Sequence, residues 1–507
     1  MPLDPQRQDL AIGIVGTGVM GRGIAQIAAQ AGIRVVLYDT RADAAAAAKE
    51  YVTGTLAKLV EKGRLSADSA TRATGLLEVA PVLGHLAECH VVIEAIVERL
   101  DAKRELFGAL EAIVAPDCVL TTNTSSLQVT AIAAGCKHPE RVGGFHFFNP
   151  VPLMKVVEVV DGLRTAPWVG DALVALARRM GHTPVRAQDT PGFIVNHAGR
   201  GFTTEALACL REGVAEFWEI DRCLRDQAGF RMGPFELMDL TGLDVSHPVM
   251  ESIYDQYYQE PRYRPSPITA QRVVAGLLGR KSQNRGFYAY AEGRAQPMPV
   301  APVPDAPVPK VWVARHGLHD RLAATVAQLG GHLDHGDRPG PDSLCLVAPL
   351  GQDATSAAVA AGIDATRTVA VDCLFGLDKR RTIMATPATL PGMRAAAHAL
   401  LARDGVPVSP IRDSAGFVAQ RVVAHIVNIG CDIAQQRICS PQDLDLAVTL
   451  GLGYPLGPLA WGDAIGPARV LEILERLQSF YGDPRYRPSP WLKRRAWLGL
   501  SLLTPEN

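Results

Sequence analysis

The sequence predicts an α/β domain followed by an all-α domain, and then a shorter α/β segment followed by a second all-α domain. Three observations predict it. An apolar strand enters a glycine-rich turn and an Ala-rich helix near the start, strand-like and helical patterns alternate to about residue 188, and residues from Asp189 onward recur collinearly from Asp413. At 507 residues the chain exceeds what one hydrophobic core organises, and roughly 100–200 residues per domain implies about three to five domains.

The first element is "LAIGIVGTGVMGRGIAQIAAQAGIRVVLYDT". A strand turns through Gly16, Thr17, Gly18, Val19, Met20 and Gly21, continues as a helix, stops at Gly32 and resumes as a strand ending at Asp39. The glycines permit a tight turn, close backbone approach to a pyrophosphate and close helix packing, while the helix N-terminus offers free N–H groups to the phosphates. Asp39 can accept both ribose hydroxyls of NAD and would repel the 2′-phosphate of NADP. This is a Rossmann fingerprint in its proper context, and the implied cofactor is NAD.

Next come "HVVIEAIVE" and "CVLTTNTSS", apolar strands with polar carboxyl ends, separated by a helical pattern. Parallel strands put ligands at their carboxyl ends. Glu98 and Lys103 follow one such end, while Asn123 and Ser125 occupy the other.

"GGFHFFNPVPLMKVVEVV" then reads as an antiparallel hairpin whose turn, centred on Pro152, places His146 opposite Glu158. Glu158 alternates with valines, and a carboxylate among apolar neighbours is costly without a partner. A facing imidazole supplies one and fixes which ring nitrogen carries the proton, giving a general base for an alcohol. Ser125, and Asn196 in "DTPGFIVNHAGRGF", can donate hydrogen bonds to the oxygen as charge develops on it.

These stretches, with "GPFELMDLTGLD" and "GRKSQNRGFY", make residues 11 to about 290 resemble the 3-hydroxyacyl-CoA dehydrogenase family. The resemblance implies His146 as base, Glu158 as its partner, and Ser125 and Asn196 on the substrate oxygen. For NAD it implies Gly16 to Gly21, Asp39, Glu98, Lys103, Asn123, Asn149 and Lys281. For the coenzyme A of an acyl-CoA substrate it implies Thr55 and Lys62, seven residues apart on a basic helical stretch. It implies oxidation of an (S)-3-hydroxyacyl-CoA to the 3-oxo product. The long two-repeat form resembles enzymes of aromatic-acid breakdown such as the phenylacetate type, with 3-hydroxyadipyl-CoA as expected substrate and 3-hydroxybutyryl-CoA as the shorter option. Two alternatives stand beside it: a dehydrogenase of a free 3-hydroxy acid, and a catalytically silent NAD-binding scaffold.

The domains expected are residues 1–188 (NAD-binding), 189–292 (helical), 293–309 (a Pro-rich linker), 310–411 (a degenerate, truncated Rossmann-like segment) and 412–507 (helical again). "DSAGFVAQR" matches "DTPGFIVNH" at an offset of 224, and "PRYRPSP" occurs at 261–267 and 484–490. At that offset Asn196 maps to Gln420, Glu158 to Thr382, and His146 to Ala370 or its neighbours, so the second copy lacks the catalytic groups. It is expected to pack as an intramolecular pseudo-dimer in place of a second subunit, with further homo-oligomerisation left open.

A formal net charge of −1 offers no global field for nucleic acid or anionic membrane. Nine scattered cysteines without a CxxC read as reduced thiols of a cytoplasmic protein. The pairs His316/His319 and His332/His335 resemble a metal site, but no third ligand is fixed, and the expectation is no metal.

Overall fold

In the computed structural model, which describes residues 3–315 and 318–506, the chain forms two compact units. One runs to His197 and includes Gln436–Leu452, and the other comprises Ala198–Gln435 and the residues from Gly453 onward.

The first unit is built on eight strands: β1 (Ala11–Val15), β2 (Arg34–Tyr38), β3 (Leu77–Val79), β4 (Val91–Glu94), β5 (Val119–Thr122), β6 (Val142–Phe147), β7 (Val156–Asp161) and β8 (Thr183–Gln188). Their order is β3-β2-β1-β4-β5-β6-β7-β8, parallel throughout except for β6 against β7. Helices such as Val19–Gln30, Leu100–Glu111 and Pro167–Arg179 connect the strands, and the central strands are buried throughout, as expected for a sheet covered on both faces.

β8 is an edge strand, and its outward N–H groups are taken up by residues far away in sequence. Gln188 N donates to Ile438 O at 2.8 Å and Arg186 N to Asp443 Oδ2 at 3.5 Å. The helix Pro441–Leu452 then packs on β7 and β8. A segment of the second copy thus covers the sheet edge of the first.

The second unit mirrors this. A short ribbon, β9 (Tyr290–Ala291) with β10 (Arg294–Ala295), runs into the start of the Pro-rich segment, and 296–310 has no regular element. There follow β11 (Val311–Val313), β12 (Leu344–Val347), β13 (Thr368–Val371), β14 (Arg381–Ala385) and β15 (Val408–Ile411), joined in chain order with only β13 and β14 antiparallel. The succession reproduces β4 to β8. Among the described residues there are no counterparts of β1 to β3, the strands that in the first unit carry the glycine turn and Asp39. Here Arg412 N donates to Val214 O at 2.9 Å, the counterpart of the Gln188–Ile438 bond, so first-copy residues cover the second-copy sheet.

Within this unit the helices Arg200–Arg211 and Val418–Gln435 cross closely: a Cβ on Gly201 would meet Ile426 Cα at 3.0 Å. The two "PRYRPSP" segments contact each other, with Arg262 Nη2 donating to Arg487 O at 2.8 Å. Tyr263 and Tyr486 are both buried. Ser266 and Ser489 accept hydrogen bonds from Ile268 N and Trp491 N, capping helices that begin at Pro267 and Pro490. The Ser-Pro step is therefore a helix-start signal used twice. Glu205, fully buried, accepts from Arg421 Nε and Tyr486 Oη, both at 2.8 Å, and Arg485 Nη2 lies 3.2 Å from its other oxygen.

Candidate functional site

The hairpin β6–β7 sets the register that pairs His146 with Glu158. His146 Nδ1 lies 2.6 Å from Glu158 Oε2, and the two residues are 4% and 0% exposed. The other carboxylate oxygen, Oε1, accepts from Ile194 N at 2.9 Å and Val195 N at 2.8 Å. Those amides are aimed by a turn in which Gly192 (φ 76°) and Phe193 (φ 48°) both take left-handed conformations. Each Glu158 oxygen thus has a partner. With Nδ1–H donating to the carboxylate, Nε2 is the basic nitrogen. The imidazole packs against the rings of Phe148 and Phe193, which excludes water from its flanks.

Ser125 and Asn196 are half-buried and adjacent, Asn196 Nδ2 reaching Ser125 O at 3.4 Å. Asn123 Oδ1 accepts from Phe147 N at 2.8 Å, tying the carboxyl end of β5 to the strand that carries His146.

The loop bearing Ser125 is organised by Glu98. One oxygen of Glu98 accepts from Thr124 Oγ1, Ser125 N, Ser126 N and Ser126 Oγ at 2.6–3.1 Å. Burial pushes the Glu98 carboxyl up, but the Lys103 charge and these hydrogen bonds hold it below its ordinary value. Lys103 is itself buried, 2.6 Å from Glu94 and 3.2 Å from Glu98, so in this structure its ammonium bears on the site through those two carboxylates. Glu94, fully buried, also accepts from Thr122 Oγ1 and Ile96 N. Sequence reasoning passed over it, although a Glu ending an apolar strand nine residues before a helical Lys is a readable signal. Asp189 was passed over as well: its two oxygens receive Val129 N and Thr130 N. Asp413 does the same for Ala354 N and Thr355 N, so the Asp shared by the two repeats is a helix cap.

The dinucleotide turn fits its cofactor. A Cβ on Gly21 would lie 1.9 Å from Gly16 O and one on Gly16 2.5 Å from Ala95 O, whereas one on Gly18 would meet no atom within 4 Å. Gly18 is therefore open to an approaching pyrophosphate. Thr17 donates from N and Oγ1 to Asp39 Oδ2, and Arg41 binds the same carboxylate. Burial pushes the Asp39 carboxyl up, but Arg41 and Thr17 hold it well below its ordinary value, so it is present as the anion. A cleft of about 660 Å³ lined by Gly16, Gly18, Asp39, Ile96 and Leu106 opens beside it. Val19 is exposed and Met20 half-buried in the first turn of the helix.

The remaining expected residues are placed as follows by burial and hydrogen bonding. Asn149 is exposed just beyond β6, Thr55 is half-buried with its hydroxyl donated to Tyr51 O, and exposed Lys62 lies just past the helix Ala44–Glu61. Lys281 is exposed on a loop of the second unit. Among the described residues no group of three or more His, Cys, Asp or Glu side chains could hold a metal. His316 lies outside the described residues.

The second copy carries other residues at the corresponding positions. Thr382 pairs with Ser409 as Glu158 pairs with Val185, and opposite Thr382 stands Asp372, whose N donates to Thr382 O. The counterpart of His146 is therefore Asp372, two positions beyond Ala370. Gln420, at the place of Asn196, donates to Asp372 Oδ1 and accepts from Gly351 N, spanning the vestigial site. Asp372 Oδ2 has no hydrogen-bond partner among the described residues. Burial pushes this carboxyl from 3.8 up to about 6, against the Gln420 and Leu374 hydrogen bonds.

Because its folded value is raised, stability is highest while the group is protonated and falls as pH rises from about 4 to 6, by roughly 3 kcal/mol. Asp372→Asn is therefore expected to melt higher than the parent at pH 8, with the gain shrinking toward pH 4. Thermal melts across that range check it, and a difference that does not vary with pH would remove the assignment.

Comparison with known proteins agrees with the geometry. Residues 11–190 match the model of the 3-hydroxyacyl-CoA dehydrogenase NAD-binding domain, and residues 192–290 and 416–500 each match that of its C-terminal domain. The chain is 39% identical to 3-hydroxyadipyl-CoA dehydrogenase of Escherichia coli K12 over 96% of its own length and 97% of that protein's. It is 38% identical to 3-hydroxybutyryl-CoA dehydrogenase of Bradyrhizobium diazoefficiens, over 57% of this chain and 97% of that one. A solved structure described as 3-hydroxybutyryl-CoA dehydrogenase from E. coli K12 superposes with a TM-score of 0.85 at 38% identity, covering 97% of this chain and 99% of that one. With both family domains matched in order, and the C-terminal one matched twice, the chain belongs to the 3-hydroxyacyl-CoA dehydrogenase family.

Proposed function

We propose that the chain oxidises the (S)-3-hydroxyl of 3-hydroxyadipyl-CoA, with His146 as general base. The observation that carries the chemistry is the buried His146–Glu158 pair at 2.6 Å. His146 Nε2 takes the hydroxyl proton, Glu158 stabilises the resulting imidazolium, and Ser125 Oγ and Asn196 Nδ2 donate to the oxygen as the carbonyl forms. Bound NAD would supply the hydride acceptor for the carbinol carbon. Asp39 and the Gly16–Gly21 turn would hold its adenosine and pyrophosphate, and Glu98, Asn123 and Asn149 would complete its binding, with Lys103 acting through Glu98. Thr55 and Lys62 bind the coenzyme A portion.

The choice of acyl group is supported by the relative named for 3-hydroxyadipyl-CoA, which this chain matches over nearly its whole length. Hydroxybutyryl and hydroxyadipyl groups differ in the tail, a methyl against a carboxyethyl chain. Initial rates of NADH formation with 3-hydroxyadipyl-CoA, 3-hydroxybutyryl-CoA and the free 3-hydroxy acid separate the readings. The adipyl thioester is expected to give the highest kcat/KM, by at least about tenfold, the effect of about 1.4 kcal/mol. A preference for the butyryl ester would overturn the acyl assignment alone, and a preference for the free acid would overturn the thioester reading.

We further read the second copy as an intramolecular substitute for a second subunit, supported by the meeting of both "PRYRPSP" segments and by Glu205 facing Arg421 and Arg485. Nine free cysteines support a cytoplasmic location. No described helix is long and apolar enough to cross a membrane.

A further inference from the structure

We infer that the second copy positions the catalytic pair of the first, through the helix Pro441–Leu452 and, within it, Gly451. The inference rests on His146 and Glu158 being the working pair.

Glu158 shares one face of β7 with Val156, because alternate strand residues point the same way. Gly451 packs on that face: a Cβ built on it would lie 3.0 Å from Val195 Cγ2, 3.1 Å from Val195 Cγ1 and 3.5 Å from Val156 Cγ1. Val195 is the residue whose N–H holds Glu158 Oε1, and it precedes Asn196. A side chain at 451 therefore presses on the residue that links the carboxylate anchor to the oxygen-binding amide. Cys439, at the start of the same segment, sits in the field of Glu158: burial and the charges of Asp443 and Glu158 push its thiol up.

The second copy supplies an internal comparison. At the offset of 224, Gly451 corresponds to Gln227, and Glu158 to Thr382. At the silent site the amide of Gln227, a residue of the first copy, fills this place and accepts a hydrogen bond from Thr382 Oγ1 at 2.6 Å. Where Glu158 must reach the Ile194 and Val195 amides, the position has no side chain. Where no carboxylate is needed, a glutamine occupies it. Gly451 is thus a positioning residue, acting on the reaction through Val195 and Glu158.

The test is a side-chain series in the full-length protein, with kcat, KM, the pH profile of kcat and melting temperature measured for each variant. Gly451→Ala is expected to lower kcat severalfold and Gly451→Gln about 100-fold, the scale of a misplacement near 1 Å. In both, the pH dependence of kcat shifts while the affinity for NAD is retained. Val195→Ala combined with Gly451→Gln is expected to restore most of kcat, since the smaller residue gives the new side chain room. Gln227→Gly, the mirror change at the silent site, is expected to leave kcat at the parent value. Folded Gly451→Ala with unchanged kcat and pH profile would overturn the inference, even if Gly451→Gln failed to fold. So would an equal loss of kcat in Gln227→Gly, which would mark a general structural effect. If His146→Ala remained fully active, the underlying assignment of the base would fail instead.

Discussion

His146→Ala is expected to lower kcat by roughly 10²–10⁴-fold with little change in the affinity for NAD, the usual span for removing a general base. The prediction follows from the order of the contacts. Two backbone amides fix one Glu158 oxygen, the other is 2.6 Å from Nδ1, and Nε2 is left to take the proton. Glu158→Gln tests the other half of the pair. A glutamine keeps the shape but removes the charge that stabilises the imidazolium, so kcat should fall while the acyl-CoA KM stays close to the parent value. Stopped-flow measurement of the hydride step in both variants checks the assignment, and parent-like rates in His146→Ala would overturn His146 as the base.

The second large effect is on stability. Glu205 is fully buried, and burial alone would push its carboxyl up. The charges of Arg485 and Arg421 hold it down at about 2. Glu205→Gln leaves two buried guanidiniums short of their counter-charge, and breaking such a pair from one side costs about 3–5 kcal/mol. Glu212, which pairs with the other edge of Arg421 and is 28% exposed, should cost much less when replaced. Because the folded value of Glu205 is depressed, its contribution is present above the ordinary carboxyl value of 4.5 and is lost as pH falls toward about 2. Denaturant unfolding of Glu205→Gln and Glu212→Gln at pH 7, with sedimentation of both, checks the network and the pseudo-dimer together. Equal, small effects would mean that the two copies are held together elsewhere.

The pairing of His146 with Glu158 was legible in the sequence because a hairpin ties residues through one local turn, so the position of its centre yields the register. The dinucleotide turn was legible for the same reason: its strand, glycines, helix and Asp39 lie within one short βαβ unit. Other features depend on contacts distant in the chain. Gly451 looks like any helical glycine until Val195 is placed against it, and the role of Lys103 changes once Glu94 is seen beneath it. The counterpart of His146 was located only to within two residues, because β13 and β14 are joined by a loop of different length from that between β6 and β7. The repeated Asp of "DTPGF" and "DSAGF" was visible as a repeat, while its function as a helix cap required the helix it caps.

The exchanged sheet edges have a consequence for synthesis. The first unit is not complete when His197 leaves the ribosome, because its β8 edge and the face bearing Glu158 await Gln436–Leu452. At roughly 5–20 residues per second, the intervening stretch of about 240 residues takes on the order of 10–50 s to make. Throughout that interval a strand edge stands open and the Glu158 face lacks its cover. The nascent chain must therefore be kept from pairing with a neighbour on the same polysome, and a break or early termination that removes Gln436–Leu452 would uncover the Glu158 face in the first two hundred residues.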